Sequence, residues 1–219
     1  MNFREYQARA KKAYYTNYMA MIFSKLSIRL SYAMAHTPVT PNQLTTLSTL
    51  VALTGAAMIL GFNQDLRILG IAIWFIAYVL DFCDGEIARY KNMQTEFGHW
   101  FDEVTDRIKD VALFSAVTLL AVRQSSSVLA ILCGLLALGG TIVYAYATAC
   151  RSRNLSGETT RLSPGKFGHV NYVVMAILVG LDFPQLFLAF AATVAYCGLA
   201  LDIYSARRAS QRLRVLESA

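Results

Sequence analysis

Apolar runs separated by short polar segments recur along the chain, and their lengths predict a helical membrane protein. A bilayer-spanning helix needs about 20 mostly apolar residues. The pattern predicts six spans, over Gln43–Phe62, Ile68–Arg89, Gly98–Val122, Ser127–Ala149, Phe167–Leu181 and Leu186–Ser205. The second and third of these carry charged residues within the run. We therefore predict an all-α integral membrane fold with six transmembrane helices in residues 43–205.

The segment before the first span has a different pattern. In residues 19–36, apolar side chains recur every three or four positions, at Ile22, Phe23, Leu26, Leu30 and Met34. Lys25 and Arg29 share another face, so the segment predicts an N-terminal amphipathic helix in the inner membrane interface. A cytoplasmic helix facing solvent is the alternative. Pro38 and Pro41 interrupt the chain before the first span, and Thr40 is placed to cap that helix.

The distribution of Lys and Arg predicts the orientation of the spans. Eighteen of the 20 basic residues fall in segments that lie on one side in the six-span scheme, and the opposite connections hold only Arg67 and Arg123. Since Lys and Arg accumulate on the cytoplasmic side, both termini are expected in the cytoplasm. The predicted organisation is a cytoplasmic and interfacial segment (1–42), a catalytic membrane domain (43–205) and a basic tail (206–219).

Composition supports a membrane protein over a soluble or nucleic-acid-binding one. The 219 residues are 56% hydrophobic and 16% charged, which is too apolar a mixture for the surface of one soluble domain. The net charge of +6 does not form one uniform basic field, so no nucleic-acid partner is expected. The four cysteines show no CxxC spacing, which argues against a zinc ribbon or a redox motif.

Acidic residues concentrate where lipid should be. Eight of the 14 acids lie within 30 positions: Asp81, Asp84, Glu86, Glu96, Asp102, Glu103, Asp106 and Asp110. One intramembrane carboxylate costs about 2.5–3.5 kcal/mol on insertion scales. Neighbouring cations can pair with some of these acids, although not evidently with all eight. Such a cluster therefore requires a bound cation or a watery cavity.

The spacing of these acids predicts a metal site between two helices. Asp81 and Asp84 are separated by three positions, while Asp102 and Asp106 belong to a stripe with four-residue spacing. A short connection, Tyr90–Phe97, makes the two helices antiparallel neighbours, so the four carboxylates converge near the cytoplasmic side. Oxygen ligands of this kind suit Mg²⁺, Mn²⁺ or Ca²⁺. Close helix packing at the small residues, without a ligand, is the alternative.

Residues 81–106 match the pattern D-x2-D-G-x2-A-R-x8-G-x3-D-x3-D at every position. This segment resembles the CDP-alcohol phosphotransferases, and Thr40-Pro41-Asn42-Gln43-Leu44-Thr45 resembles the family's TPNxxT segment. The resemblance implies attack by an acceptor hydroxyl on the β-phosphorus of a CDP-alcohol, with release of CMP. It implies two divalent ions, Mg²⁺ or Mn²⁺, at this membrane-embedded site of phospholipid synthesis.

The resemblance also implies residue roles. Asp81, Asp84 and Asp102 would be metal ligands, and Asp106 would contact metal and take the proton from the attacking hydroxyl. The expected contacts with the nucleotide and its phosphates are Asn42, Thr45, Gly85, Ala88, Arg89, Thr95 and Gly98. Helix capping is the alternative role for the first two. The glutamates outside the pattern, Glu86, Glu96 and Glu103, are expected at the surface or behind the site, and His99 is expected to pack nearby or lie behind the site.

The motif leaves the two substrates open. The family uses either CDP-diacylglycerol with a water-soluble acceptor, which is favoured here, or a CDP-linked headgroup with a lipid hydroxyl as acceptor. The Asp106-Arg107-Ile108-Lys109-Asp110 run looks like the DRxxD run of members that use inositol phosphate. An inner loop carries four cations that can hold an anionic acceptor such as a phosphorylated polyol, or pair with anionic lipid: Arg151, Arg153, Arg161 and Lys166. A homodimer is an expectation from the family.

A different class of function also fits an intramembrane Asp cluster, namely a divalent-cation transporter or channel. The outer halves of the predicted spans are almost without charge, and no inverted repeat of broken helices is evident. Both features favour the transferase.

Overall fold

The computed structural model describes residues 2–10, 18–154 and 165–217. All regular structure in these ranges is helical, which confirms the all-α prediction. The helices are α1 (Phe3–Ala10), α2 (Tyr18–Ala35), α3 (Pro41–Ile59), α4 (Gln64–Lys91), α5 (Glu96–Ser125), α6 (Val128–Asn154), α7 (Gly165–Gly180) and α8 (Pro184–Glu217). The chain divides into two compact units, Met1–Ala116 and Val117–Ala219.

Among the described residues, three helices are long and apolar enough to cross a membrane, by length and composition: Gln64–Lys91, Val128–Arg151 and Pro184–Arg208. They correspond to the second, fourth and sixth predicted spans. α5 has the length of a span, but its first half carries the acids and bases of the motif, which lowers its hydropathy. In α7 the described apolar stretch is shorter, Val170–Gly180.

The ends of α3 and α4 follow from local sequence. Thr40 caps α3 through a capping box, in which Gln43 Oε1 accepts a hydrogen bond of 3.0 Å from the Thr40 backbone N–H. α4 ends at Lys91, and the left-handed φ of 54° at its C-cap residue, Asn92, lets the Met93 N–H reach the Ala88 carbonyl at 2.9 Å. The resulting short turn sends α5 back along α4, as the sequence predicted, and brings the two halves of the motif together.

α3 and α4 approach each other through glycines. A Cβ on Gly55 would lie 2.8 Å from the Gly70 carbonyl oxygen, and a Cβ on Gly70 would lie 2.7 Å from the Ile59 backbone nitrogen. These neighbours are backbone atoms, which cannot rotate away. The two glycines therefore set the separation of α3 from α4, and with it the position of every α3 side chain that reaches the motif.

We predict that Gly70→Ala lowers the stability of the protein by about 1–3 kcal/mol, because the added methyl group overpacks the α3–α4 contact. The measurement is the unfolding temperature of the detergent-solubilised protein. Gly139→Ala is the matched control, since a Cβ at Gly139 meets no atom within 4 Å and alanine favours a helix. Equal unfolding temperatures for the two variants would contradict the prediction.

The N-terminal helices pack on α4. Tyr6 of α1 is fully buried, with its ring 5.4 Å from Tyr32 of α2 and 4.8 Å from Tyr90 of α4. Burial raises the pKa of Tyr6 to about 12, so the phenol stays neutral at physiological pH. The face of α2 that carries Ile22 and Leu26 is exposed, which is the surface expected to face lipid in an interfacial helix.

Within the second unit, glycines again allow close packing, here between α6 and α8. A Cβ on Gly140 would lie 3.0 Å from the Tyr196 ring, and one on Gly198 would lie 3.1 Å from the Tyr144 ring. α8 continues as one helix through the boundary that the sequence predicted at residue 205. The basic tail therefore begins as an extension of the last apolar helix.

Candidate active site

Three of the predicted metal ligands lie together between α4 and α5. One carboxylate oxygen from each of Asp81, Asp102 and Asp106 lies within 4.8 Å of the other two. Asp102 and Asp106 are one turn apart on α5, and α4 presents Asp81 opposite them. All three side chains are partly buried. Carboxylate oxygens at this separation are a donor set that fits Mg²⁺ or Mn²⁺.

Asp84, the fourth predicted ligand, is held from another direction. It lies one turn beyond Asp81 on α4 and is 7% exposed, and the Thr45 hydroxyl of α3 donates it a hydrogen bond of 2.6 Å. Ser48, also on α3, donates to Asp81 at 3.4 Å. α3 thus positions both carboxylates of α4. Thr45, predicted as a nucleotide contact, has its hydroxyl bound to Asp84.

A lysine lies among the carboxylates. Lys109 Nζ is 2.9 Å from Asp106 Oδ1 and also contacts Asp81 Oδ1, although the lysine side chain is only 9% exposed. Arg107, on the same turn, is directed mainly to Asp110, with Nη1 2.9 Å from Asp110 Oδ2. Since Lys109 bridges α4 and α5, it offsets part of the repulsion among the acids.

A cavity of about 360 Å³ opens beside the cluster. Its volume falls in the range typical of small-molecule sites. The cavity contains all seven residues that the motif resemblance implied for nucleotide binding, together with Asp84 and Asp102. Its lining is Pro41, Asn42, Thr45, Asp84, Gly85, Ala88, Arg89, Met93, Gln94, Thr95, Gly98, His99 and Asp102.

Small residues keep this cavity open at the start of α5. The Thr95 hydroxyl accepts a hydrogen bond of 2.9 Å from the Gly98 N–H, which satisfies one of the unpaired donors at the helix start. A Cβ on Gly98 would lie 3.0 Å from Thr95 Oγ1 and 3.4 Å from Asn42 Oδ1. A larger side chain at position 98 would therefore fill the space between α3 and α5. The Thr95 hydroxyl acts here as a helix cap.

Arg89 lies on the wall of the cavity and is held from α1. Its Nε donates a hydrogen bond of 2.6 Å to the Ala10 carbonyl, at the carboxyl end of that helix. A Cβ on Gly85 would lie 3.2 Å from Arg89 Nη1, so the guanidinium packs closely over this glycine. The N-terminal helix thereby orients the arginine of the motif.

Of the two places expected for Glu86, burial excludes the surface, because the residue is 1% exposed. Ser27 and Ser31 of α2 donate hydrogen bonds to its two carboxyl oxygens, at 2.7 Å and 2.6 Å. Both serines are fully buried. Their four-residue spacing on one face of α2 was the available signal, but nothing local identified Glu86 as their partner. These hydrogen bonds attach α2 to the motif helix.

We predict that Glu86→Ala loosens α2 from α4 by about 1.5–3 kcal/mol, because two buried hydroxyls lose a carboxyl acceptor. Hydrogen exchange of the α2 amides in the detergent-solubilised protein measures this loss as faster exchange. Glu96→Ala, at an exposed position at the start of α5, is the control and should leave α2 exchange unchanged. Wild-type exchange in Glu86→Ala would contradict the assigned contact.

The basic residues predicted in one inner loop are described only in part, and the loop is shorter than predicted because Arg151 and Arg153 belong to α6 and Lys166 to α7. Arg151 forms an ion pair with Asp202 of α8 and donates a hydrogen bond of 2.7 Å to the Ser205 hydroxyl. Its charge is therefore compensated within the second unit. Arg161 lies outside the described residues, as do the side chains of Arg153 and Lys166. His99 lines the cavity, with Nε2 3.6 Å from Glu103 Oε1.

Comparison with known proteins gives consistent relatives. The chain is 32% identical over 149 residues to a "Bifunctional IPC transferase and DIPP synthase" of Archaeoglobus fulgidus, which covers 68% of this chain and 27% of the relative. It is 37% identical over 102 residues to a phosphatidylinositol phosphate synthase of Corynebacterium glutamicum, covering 43% of this chain and 39% of that protein. The chain thus spans less than half the length of these curated relatives.

A solved structure and a family model complete the comparison. The fold is similar to that of the Mycobacterium tuberculosis phosphatidylinositol phosphate synthase with CDP-DAG bound, with a TM-score of 0.64 at 19% identity, over 83% of this chain and 94% of that one. At that identity the likeness concerns the fold alone. The family model for CDP-alcohol phosphatidyltransferase matches residues 38–204, which include α3, α4 and α5 with every motif residue. The chain therefore belongs to the CDP-alcohol phosphatidyltransferase family.

Proposed function

We propose that this protein is a membrane-embedded transferase of phospholipid synthesis. It moves a phosphatidyl group from a CDP-alcohol, with CDP-diacylglycerol favoured, to the hydroxyl of an acceptor alcohol and releases CMP. The observation that carries the proposal is the shared position of Asp102, which belongs both to the carboxylate cluster and to the wall of the 360 Å³ cavity. A nucleotide in the cavity would have its phosphates against the cluster.

In this reaction the acceptor oxygen forms a bond to the β-phosphorus, and the bond from that phosphorus to the oxygen of the CMP phosphate breaks. Asp106 takes the proton of the attacking hydroxyl, and the electron pair of the broken bond leaves with CMP. Asp106 is 37% exposed, so an acceptor can reach it.

Asp81, Asp84, Asp102 and Asp106 would hold the divalent ions, Mg²⁺ or Mn²⁺, and we propose two of them. When bound, such ions neutralise the pyrophosphate and stabilise the leaving CMP phosphate. Thr45 and Ser48 direct the two α4 carboxylates toward the ions through their hydrogen bonds to Asp84 and Asp81.

The remaining cavity residues would bind the donor. Gly85 and Ala88 leave the backbone of α4 accessible to the nucleotide, and Arg89 faces the phosphates from a position that the Ala10 carbonyl holds. Asn42 supplies a side-chain amide at the opposite wall, near Gly98. Thr95 contributes by capping α5 and so keeping Gly98 in place.

The acceptor would be a small polar or phosphorylated alcohol. The basic residues from the end of α6 to the start of α7 are the candidates for an anionic acceptor, although Arg151 is already paired with Asp202. We also propose that the chain has six spans, with both termini and the active site on the cytoplasmic side. Residues 1–42 would form the cytoplasmic and interfacial segment, 43–205 the membrane domain and 206–219 the basic tail. The protein would form a homodimer. The lysine and arginine distribution supports the orientation.

The experiment is CMP release by the purified protein in nanodiscs that contain CDP-diacylglycerol. We expect release that needs Mg²⁺ or Mn²⁺, stops with EDTA and depends on one acceptor among serine, glycerol phosphate, inositol, inositol phosphate and choline. No CMP with any acceptor in either metal would overturn the proposal. Flux of Mn²⁺ into proteoliposomes without nucleotide would support the transporter instead.

A further inference from the structure

The proposed reaction assigns no role of its own to the most unusual contact at the site, the burial of Lys109 among acids. Lysine is almost never buried unless it is paired. Lys109 is 9% exposed in its side chain and lies three residues after Asp106, on the face of α5 that meets α4. The burial of Lys109 is therefore explained by the negative charge of the carboxylates around it.

The lysine ammonium lies on oxygens that a divalent ion would need. Nζ is 2.9 Å from Asp106 Oδ1 and bonds to Asp81 Oδ1. Both residues belong to the trio whose oxygens lie within 4.8 Å of one another. An ammonium hydrogen bond and a metal–oxygen bond compete for the same carboxylate lone pairs, and two cations at this separation repel each other. Contact of Lys109 with these two oxygens therefore opposes coordination of a divalent ion by the same two residues.

We propose that Lys109 is an internal counter-ion of the carboxylate cluster. It holds Asp81 of α4 and Asp106 of α5 together when no divalent ion is bound, and metal binding displaces its ammonium from them. The lysine thereby maintains the site in the metal-free chain and weakens its affinity for divalent ions. This proposal rests on the proposed function, since it takes the cluster as the metal site.

A neighbouring cation gives a matched comparison. Arg107 is two residues away on the same helix, but its side chain is 39% exposed and directed to Asp110, with only a 3.9 Å approach to Asp106. Removing either cation changes the net charge by the same amount. Only Lys109, however, occupies two of the proposed ligand residues, so a general effect of charge and a specific competition are separable.

The experiment measures Mn²⁺ affinity by calorimetric titration of the detergent-solubilised protein, together with its unfolding temperature in EDTA and in Mn²⁺. For Lys109→Met we expect Mn²⁺ to bind at least about tenfold tighter, because a like charge next to the ion is removed. We also expect a lower unfolding temperature in EDTA and a larger increase on adding Mn²⁺ than in wild type.

Two further variants identify the cause. Lys109→Arg keeps the charge at the same place and should restore an affinity close to wild type. Arg107→Met should change the affinity by less than about fivefold, as expected for a more exposed charge. If Lys109→Met does not fold in EDTA, recovery in Mn²⁺ supports the proposal. If it folds in neither condition, the same titration of Lys109→Gln decides between tighter binding, which supports competition, and unchanged binding, which overturns it.

The outcomes separate this proposal from the proposed function. Wild type that binds Mn²⁺ and releases CMP, with unchanged or weaker Mn²⁺ binding in Lys109→Met, overturns the role of Lys109 alone. Absence of Mn²⁺ binding in wild type and in Lys109→Met overturns the metal site and the counter-ion with it. Equal tightening in Lys109→Met and Arg107→Met would reduce the effect to net charge and also overturn the specific competition.

Discussion

Asp106→Asn is expected to slow CMP release by about 10²–10⁴-fold, the range attributed to a general base. Asparagine matches the carboxylate in shape but does not take the proton of the acceptor hydroxyl. Asp106 lies outside the lining of the nucleotide-sized cavity, so binding of a CDP-alcohol should persist. The measurements are CMP release in nanodiscs and binding of the CDP-alcohol by titration.

Asp110→Asn is the matched control for this prediction. Asp110 follows Asp106 by one turn, but it is 5% exposed and pairs with Arg107, away from the three clustered carboxylates. The control should retain most of the CMP release if it remains folded. Undiminished turnover in Asp106→Asn would remove Asp106 as the base, whereas loss of nucleotide binding would show that its role is to hold the donor.

Asp102→Asn is expected to have the largest effect on metal binding. Asp102 is the one clustered carboxylate that also lines the cavity, and Lys109 contacts Asp81 and Asp106 instead of it. Its loss therefore removes a charged ligand without freeing the lysine. Substitution of residues that hydrogen-bond to metal ligands typically lowers metal affinity by about 10–100-fold. Loss of a ligand itself should therefore weaken Mn²⁺ binding by at least about 100-fold.

The same calorimetric titration of Asp84→Ala tests the fourth proposed ligand, whose carboxylate is bound by Thr45. We expect weaker Mn²⁺ binding there too, and an unchanged affinity would remove Asp84 from the ligand set. Asp65→Asn, at the other end of α4, is the control for both variants and should bind Mn²⁺ as wild type does. Wild-type affinity in Asp102→Asn would contradict the metal site between α4 and α5.

The convergence of acids was predictable because each step depends on local sequence. Four-residue spacing places Asp102 and Asp106 on one face of a helix, and the short turn at Asn92 reverses the chain direction. The cap at Thr40 was equally predictable, since a capping box lies within four residues. The family resemblance was also carried by short segments, residues 81–106 and 40–45. The residues that it implied for nucleotide binding do line one cavity.

The partners of individual acids were not predictable in this way. Glu86 and Lys109 are charged residues on amphipathic segments, where solvent exposure is the usual outcome. Whether they are buried depends on which face of α4 meets α2 and α5, and on the close α3–α4 approach at Gly55 and Gly70. Among the described residues, three of the six predicted spans reach the length and apolarity of a span. Of the others, α3 carries many hydroxyl and amide side chains, α5 carries the charges of the motif, and the described apolar stretch of α7 is short.

The amino-acid sequence by itself determined the helical class, the antiparallel pair of motif helices and the stripe of acids, because helical periodicity, hydropathy and turn chemistry act over a few residues. Only the tertiary structure decided how the acids are divided among partners: Asp84 with Thr45, Glu86 with Ser27 and Ser31, and Asp81 and Asp106 with Lys109. These pairings join residues as far as 59 positions apart. They depend on the rotation and separation of whole helices, which the packing of the complete unit sets.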